Sequence, residues 1–127
     1  EASECGAIVS IGSTASVEAF AGAVPYGAMK AALLNYFGNL AQELAPAGIR
    51  VNSVSPGPIY FAGGAWEEIR GAMPEIYEST VANIPAGRMG SPAEVCAQVA
   101  LLLSPLAAYT TGTNVVVDGG FTKRIQF

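Results

Sequence analysis

Tyr26 and Lys30 stand four residues apart in a stretch with helical periodicity, and a phenol beside an ammonium has a chemical use. At about 100° per residue the two side chains sit about 40° apart on one helix face. A tyrosine hydroxyl ordinarily titrates near about 10, too high for easy proton exchange at neutral pH. A cation within ~4–6 Å favours the phenolate, so such a tyrosine can act as general acid in one direction and general base in the other. On the same helical wheel Leu33, Leu34, Phe37, Ala41 and Leu44 fall within roughly 60° of Lys30. Asn35, Asn39, Gln42 and Glu43 fall on the opposite side. Lys30 therefore lies on the apolar face of its helix, in a chain whose one other lysine is Lys123. The competing readings are a lysine that snorkels past apolar neighbours to water and a tyrosine that merely packs.

Two further groups belong at the same edge. Ser13 directly follows an apolar run that reads as a strand, thirteen residues before Tyr26. Open α/β sheets place ligands at the carboxyl ends of their strands. A hydroxyl there can hydrogen-bond a substrate oxygen that Tyr26 protonates; as a lone feature it is equally a turn serine among those of Ser10–Ser16. Pro56-Gly57-Pro58-Ile59 follows the next strand. The prolines stiffen the loop and Gly57 admits close approach of another backbone or a flat ligand. An ordinary strand-to-helix turn has the same composition.

The elements that must position these residues follow from the apolar pattern. Ala7–Ile11 reads as a buried strand, Pro25–Leu44 as a long helix stopped by Pro46-Ala47-Gly48, and Ile49–Val54 as a second strand. Residues 65–81 read as helical with a break near Met73-Pro74. Ser91 and Glu94 form the signature of a capping box that opens a helix to about Leu103, and Asn114–Val117 reads as a third strand. Strands alternating with helices predict parallel pairing through right-handed crossovers, with helices on the sheet's faces. Near-continuous apolar strands fit a sheet covered on both sides. The fold class is α/β, the half of a doubly wound, Rossmann-type parallel sheet.

Composition narrows the function. Of 127 residues 51% are hydrophobic and 13% charged, so apolar surface is expected to meet another chain or a further part of the fold. A net charge of −4 leaves no basic patch for nucleic acid. There is no histidine, so neither a histidine base nor a histidine metal ligand exists. Cys5 and Cys96 lack metal-type spacing and fit a reducing, cytoplasmic setting. No apolar run spans a membrane; Val95–Leu103 is too short.

Four blocks occur in order: Ile8-Val9-Ser10-Ile11-Gly12-Ser13, Tyr26-Gly27-Ala28-Met29-Lys30, Arg50-Val51-Asn52-Ser53-Val54-Ser55-Pro56-Gly57 and Val117-Asp118-Gly119-Gly120. Together they cover almost the whole chain, and the sequence resembles the classical short-chain dehydrogenases/reductases, in particular those similar to 3-oxoacyl-acyl-carrier-protein reductase. The resemblance implies that residues 1–127 form the carboxyl-terminal half of one NAD(P)-binding oxidoreductase domain, with its Gly-rich turn, cofactor-selecting position, Asn-Ala-Gly block and catalytic Asn lying before this chain. It implies Tyr26 as catalytic acid/base, Lys30 as its activating cation and a donor to the nicotinamide ribose, and Ser13 as the group orienting the substrate carbonyl. It implies that Pro56, Gly57 and the backbone of Ile59 contact the nicotinamide end of NAD or NADP. The reaction would be reversible hydride transfer between that cofactor and a carbonyl or alcohol, without metal, in a homotetramer. The sequence departs from the pattern at Phe61, where a threonine often helps to hold the pyrophosphate.

Residues 60–90 are expected to form a substrate-covering segment. Trp66, Met73, Ile76, Tyr77 and Met89 suit a hydrophobic carbonyl compound, or simply pack the segment on the sheet. The alternatives to an oxidoreductase half are a non-catalytic fragment kept as an interaction surface and a Tyr–Lys epimerase or dehydratase.

Overall fold

The structure is a computed structural model that describes residues 6–20 and 24–125; Cys5, among the residues weighed above, lies outside them. Three strands, β1 (Gly6–Ile11), β2 (Ile49–Pro56) and β3 (Asn114–Val117), pair in parallel in the order β1-β2-β3. Helix α1 (Val24–Leu44) joins β1 to β2. The connection from β2 to β3 carries α2 (Ala65–Ala72), α3 (Pro74–Ala82) and α4 (Pro92–Leu103). Every expected element is present. Strand β2 runs two residues longer than its apolar pattern because Ser55 and Pro56 still pair with Val116 and Val117.

Central strand β2 carries the core. Side chains alternate across a strand, so Val51, Ser53 and Ser55 face one side while Asn52 and Val54 face the other. Val54 packs with Val95 and Leu102 of α4, joined by Val9, Val99, Val115 and Val117. Leu34 and Phe37 of α1 lie over Val51 and Ser53 on the opposite face. Helices thus cover both faces, as a doubly wound sheet requires. This corrects one expectation. Both connections step across the sheet in the same direction yet use opposite faces, so their hands are opposite and they cannot both be right-handed. The right-handed preference arises in compact strand–helix–strand units. The second connection, residues 57–113, is long and holds its own helical pair, which dilutes that constraint.

Local chemistry explains the boundaries. Gly48 takes a left-handed φ of 72° to end the short turn after α1. Met73 sits at φ −142° between α2 and α3, and Pro74 starts the second of them. At α4 the capping box closes, with the Glu94 carboxylate accepting from Ser91 N–H at 2.8 Å. Strand β1 pairs with β2 alone among the described residues, and Ile8 and Ile11 on it remain exposed. No described helix is long and apolar enough to cross a membrane.

Candidate active site

The carboxyl ends of β1 and β2 gather the candidate residues. Lys30 is half-buried, and its ammonium donates to the Ile11 carbonyl, the last of β1, at 3.0 Å. The same nitrogen lies 5.7 Å from the centroid of the Tyr26 ring, within the range of a cation over an aromatic face. The ammonium therefore sits between the strand end and the tyrosine, whereas a snorkelling lysine would carry it away from both. Of its three N–H donors, one is spent on Ile11. Tyr26 is 50% exposed.

Ser13 caps a short 3-10 turn, Thr14–Ser16. Its hydroxyl accepts from Ala15 N–H at 3.1 Å, which leaves its hydrogen to donate elsewhere. Two glycines press this turn into place. A Cβ on Gly12 would lie 2.6 Å from the Ser55 hydroxyl, and one on Gly27 would lie 2.8 Å from the Ala15 carbonyl. Gly27 thus lets the Ser13 turn rest on α1 one residue from Tyr26. Sequence reasoning passed over both glycines. At Gly27 the available signal was a glycine inside a helix, which costs about 0.5–1 kcal/mol relative to alanine and so needs a packing reason.

The Pro-Gly loop follows β2. Gly57 N–H donates to the Val117 carbonyl at 2.9 Å. A Cβ on Gly57 would fall 2.5 Å from that of Asp118, so the close approach it permits is made by the chain's own Asp118. Ile59 bridges Gly90 in parallel: Gly90 N–H donates to Pro58 and Tyr60 N–H to Gly90. Those bonds use the peptide groups of Pro58 and Tyr60 and direct Ile59's own N–H and carbonyl away from Gly90. Phe61 is exposed, with its ring against Gly64, where a Cβ would meet it at 2.8 Å.

The Asp118 carboxylate closes the turn that follows β3. It accepts from Gly120 N–H, Thr122 N–H and the Thr122 hydroxyl at 2.9, 2.8 and 2.7 Å. Residues 60–90 divide. Met89 and Ile84 are buried, whereas Met73 and Ile76 are exposed on α2–α3, two helices that pack chiefly on each other. Tyr60 meets Tyr77 edge-on at 6.1 Å. No cluster of three potential metal-ligating side chains occurs among the described residues.

A three-stranded parallel sheet with helices on both faces and a Tyr–Lys pair at its carboxyl edge defines a class. The family model described as enoyl-(acyl-carrier-protein) reductase matches residues 1–122, and the chain belongs to that family, the short-chain dehydrogenases/reductases. It is 49% identical to isoepoxydon dehydrogenase of Aspergillus clavatus over 80% of this chain and 39% of that protein. It is 37% identical to 3-oxoacyl-acyl-carrier-protein reductase of Vibrio cholerae over 91% of this chain and 45% of that protein. An NADPH-bound short-chain oxidoreductase of Pseudomonas aeruginosa, described as containing an atypical catalytic centre, superposes with a TM-score of 0.84 at 31% identity. That match covers 94% of this chain and 47% of the other. The chain spans less than half the length of these relatives.

Proposed function

We propose that this chain is the catalytic half of an NAD(P)-dependent oxidoreductase that interconverts a carbonyl and an alcohol, and that it works joined to a preceding half that binds the rest of the dinucleotide. The observation that carries the reading is the Lys30 ammonium held between the Ile11 carbonyl and the Tyr26 ring. Residues on hand suit a nicotinamide: Lys30 has N–H donors to spare, and Ile59's peptide groups point away from their neighbour. Phe61 offers no hydroxyl to a pyrophosphate, so that contact falls to other groups. The chain's 15 glycines include no GxGxxG or GxxxGxG run to cradle phosphates.

The nicotinamide supplies or accepts the hydride when bound. The Tyr26 hydroxyl gives a proton to the substrate oxygen on reduction and takes it back on oxidation. Ser13 donates to the same oxygen and fixes its direction. Lys30 stabilises the charge left on Tyr26 and holds the ribose. Pro56 and Gly57 form the rigid floor of the nicotinamide site, and residues 60–90 cover the substrate. Leu101, Leu103, Leu106 and Tyr109 expose a continuous apolar stretch around the end of α4, which supports assembly as a homo-oligomer, a tetramer in this reading. In this reading the enzyme works without a metal and in the cytoplasm.

The test is reduction of cyclohexanone, cyclohexenone and ethyl acetoacetate by the full-length protein with NADH or NADPH. Turnover of one of them, lost in the isolated 127-residue chain, is the expected result. No turnover of any of them, or low-micromolar NAD(P)H binding by the isolated chain, would overturn the division of labour between the halves.

A further inference from the structure

Ser13 opens a loop whose far end is held from outside its own segment. The turn closes when Ser16 N–H and the Ser16 hydroxyl donate to the Ser13 carbonyl at 3.0 and 2.6 Å. Val17 and Glu18 N–H then donate to the Thr14 carbonyl, each at 3.1 Å. From Val17 to Phe20 the chain belongs to no helix or strand. Beyond the Thr14 bonds, three contacts among the described residues hold it, and they come from the tail that follows β3. The Arg124 guanidinium donates to the Val17 carbonyl at 3.2 Å. Lys123 N–H donates to the Glu18 carboxylate at 3.0 Å. The rings of Phe20 and Phe121 stack with centroids 5.4 Å apart and planes 3° from parallel, the offset arrangement that aromatic pairs prefer.

The tail is itself anchored. Asp118 ties down Gly120 and Thr122 while packing against Gly57 of the Pro-Gly loop. A continuous path therefore runs from the loop after β2, through Asp118 and Phe121, to the loop after β1. Beside this seam lies a cleft of about 200 Å³, bounded by Glu18, Phe20 and Phe121 on one side and by Ser79, Thr80 and Asn83 of the α3 region on the other.

We infer that Phe121 is a positioning residue: by stacking on Phe20 it holds the Val17–Phe20 loop, and through it the Ser13 turn and one wall of the cleft, in the arrangement that receives substrate. This rests on the reading of Ser13 and Tyr26 given above. In that reading the loop, which follows Ser13 and lines the cleft against residues 79–83, adjoins the substrate, whereas Lys30 and Ile59 serve the cofactor. Loosening the seam should therefore weaken substrate binding and spare the cofactor.

The experiment uses the full-length protein, NADPH and the best-reduced carbonyl of the panel above. Phe121→Ala is expected to raise amide exchange at Val17 and Glu18 and to raise KM about three- to tenfold, the size of one aromatic contact. The Kd for NADPH and kcat should stay within about twofold, since the lost contact lies on the substrate side. Phe121→Tyr should restore both exchange and KM. If the alanine variant does not fold, Phe121→Leu keeps the apolar bulk without the ring and is expected to show the same split. An unchanged KM, or KM and cofactor Kd rising together, would overturn the assignment. Tyr26→Phe serves as a parallel control. If it retained turnover, the reading of the site itself would fall, an outcome distinct from a silent Phe121.

Discussion

The two ends of the same three strands use their polar side chains in opposite ways. At the amino end, Arg50 donates to the carbonyls of Leu102 and Ser104 at 2.6 and 3.1 Å, closing the carboxyl terminus of α4. Asn52 donates to the Thr110 carbonyl and accepts from Thr113 N–H at 2.8 and 3.1 Å. Val51 N–H bonds the Thr111 hydroxyl at 3.0 Å. Every one of these groups is spent on satisfying backbone. The cleft beside them, about 460 Å³ between Ala45, Ile49, Leu103 and Tyr109, is mainly apolar. At the carboxyl end the hydroxyl hydrogen of Ser13, the phenol of Tyr26 and two of the Lys30 N–H groups have no hydrogen-bond partner among the described residues. There, glycines at 12, 27 and 57 admit close contact with the Ser55 hydroxyl, the Ala15 carbonyl and Asp118, and Asp118 is the side chain that satisfies backbone. In the proposed reading, stability and reactivity are thus separated along the strand direction.

The largest expected effects break that symmetry in opposite directions. In the full-length protein, Tyr26→Phe removes the proposed proton donor, which is half in solvent. Turnover should fall by about two to four orders of magnitude, the usual contribution of a positioned acid/base. The melting temperature should hardly move. Arg50→Ala should do the reverse. It strands two helix-end carbonyls and removes two charge-assisted bonds, a loss of about 1.5–3 kcal/mol in urea denaturation. The kcat of the remaining folded molecules should be unchanged. If Arg50→Ala cut kcat as deeply as Tyr26→Phe, the two ends would not be independent.

Gly57→Ala sharpens the comparison at the carboxyl end. The new methyl would meet Asp118 at its Cβ and, at 3.0 Å, at its Cα, which is backbone and cannot swing aside. Displacing it should cost about 1–3 kcal/mol of stability. NAD(P)H affinity should drop as well if, as proposed, the loop that moves is the nicotinamide floor. Stability loss with wild-type cofactor affinity would separate Gly57 from the cofactor site.

How much of this was legible beforehand follows the range of the interactions. Strands, helices and the Tyr26–Lys30 face were readable because they rest on periodicity within one segment. The Ser91–Glu94 box was readable because a cap is made by residues three apart. Leu33 defeated the wheel, being 42% exposed although it shares the face of Lys30; a wheel gives direction and cannot show which stretch of a face has a neighbour. Gly12, Gly27 and the Asp118 contacts were hidden because each depends on a partner from another segment. The hand of the second connection was hidden for the same reason, since it is set by which face α4 chooses. Phe121, 101 residues after Phe20, carries no mark in the sequence of what it stacks on.

The smallest expected effect concerns a charged anchor at the carboxyl end. Glu94 pairs with Arg88 at 2.7 Å and also accepts from Ser91 N–H, immediately after Gly90, whose peptide bridges Ile59. The Arg88 guanidinium first, and the Ser91 backbone second, hold the Glu94 carboxyl down at about 2 against an ordinary 4.5. A carboxylate with a lowered folded-state value stabilises the fold fully above its unfolded value, and that stabilisation is lost as pH falls toward the folded value. Glu94→Gln should therefore lower Tm by a constant small amount between pH 5 and 7, a gap that narrows from about pH 4.5 and closes near pH 2. Because the pair is solvent-exposed, added salt should shrink the gap at neutral pH too. A gap that persisted undiminished at pH 2 would place the effect in the lost cap geometry rather than in the charge. The Glu94 anchor would then act through the geometry of its cap and not through its charge.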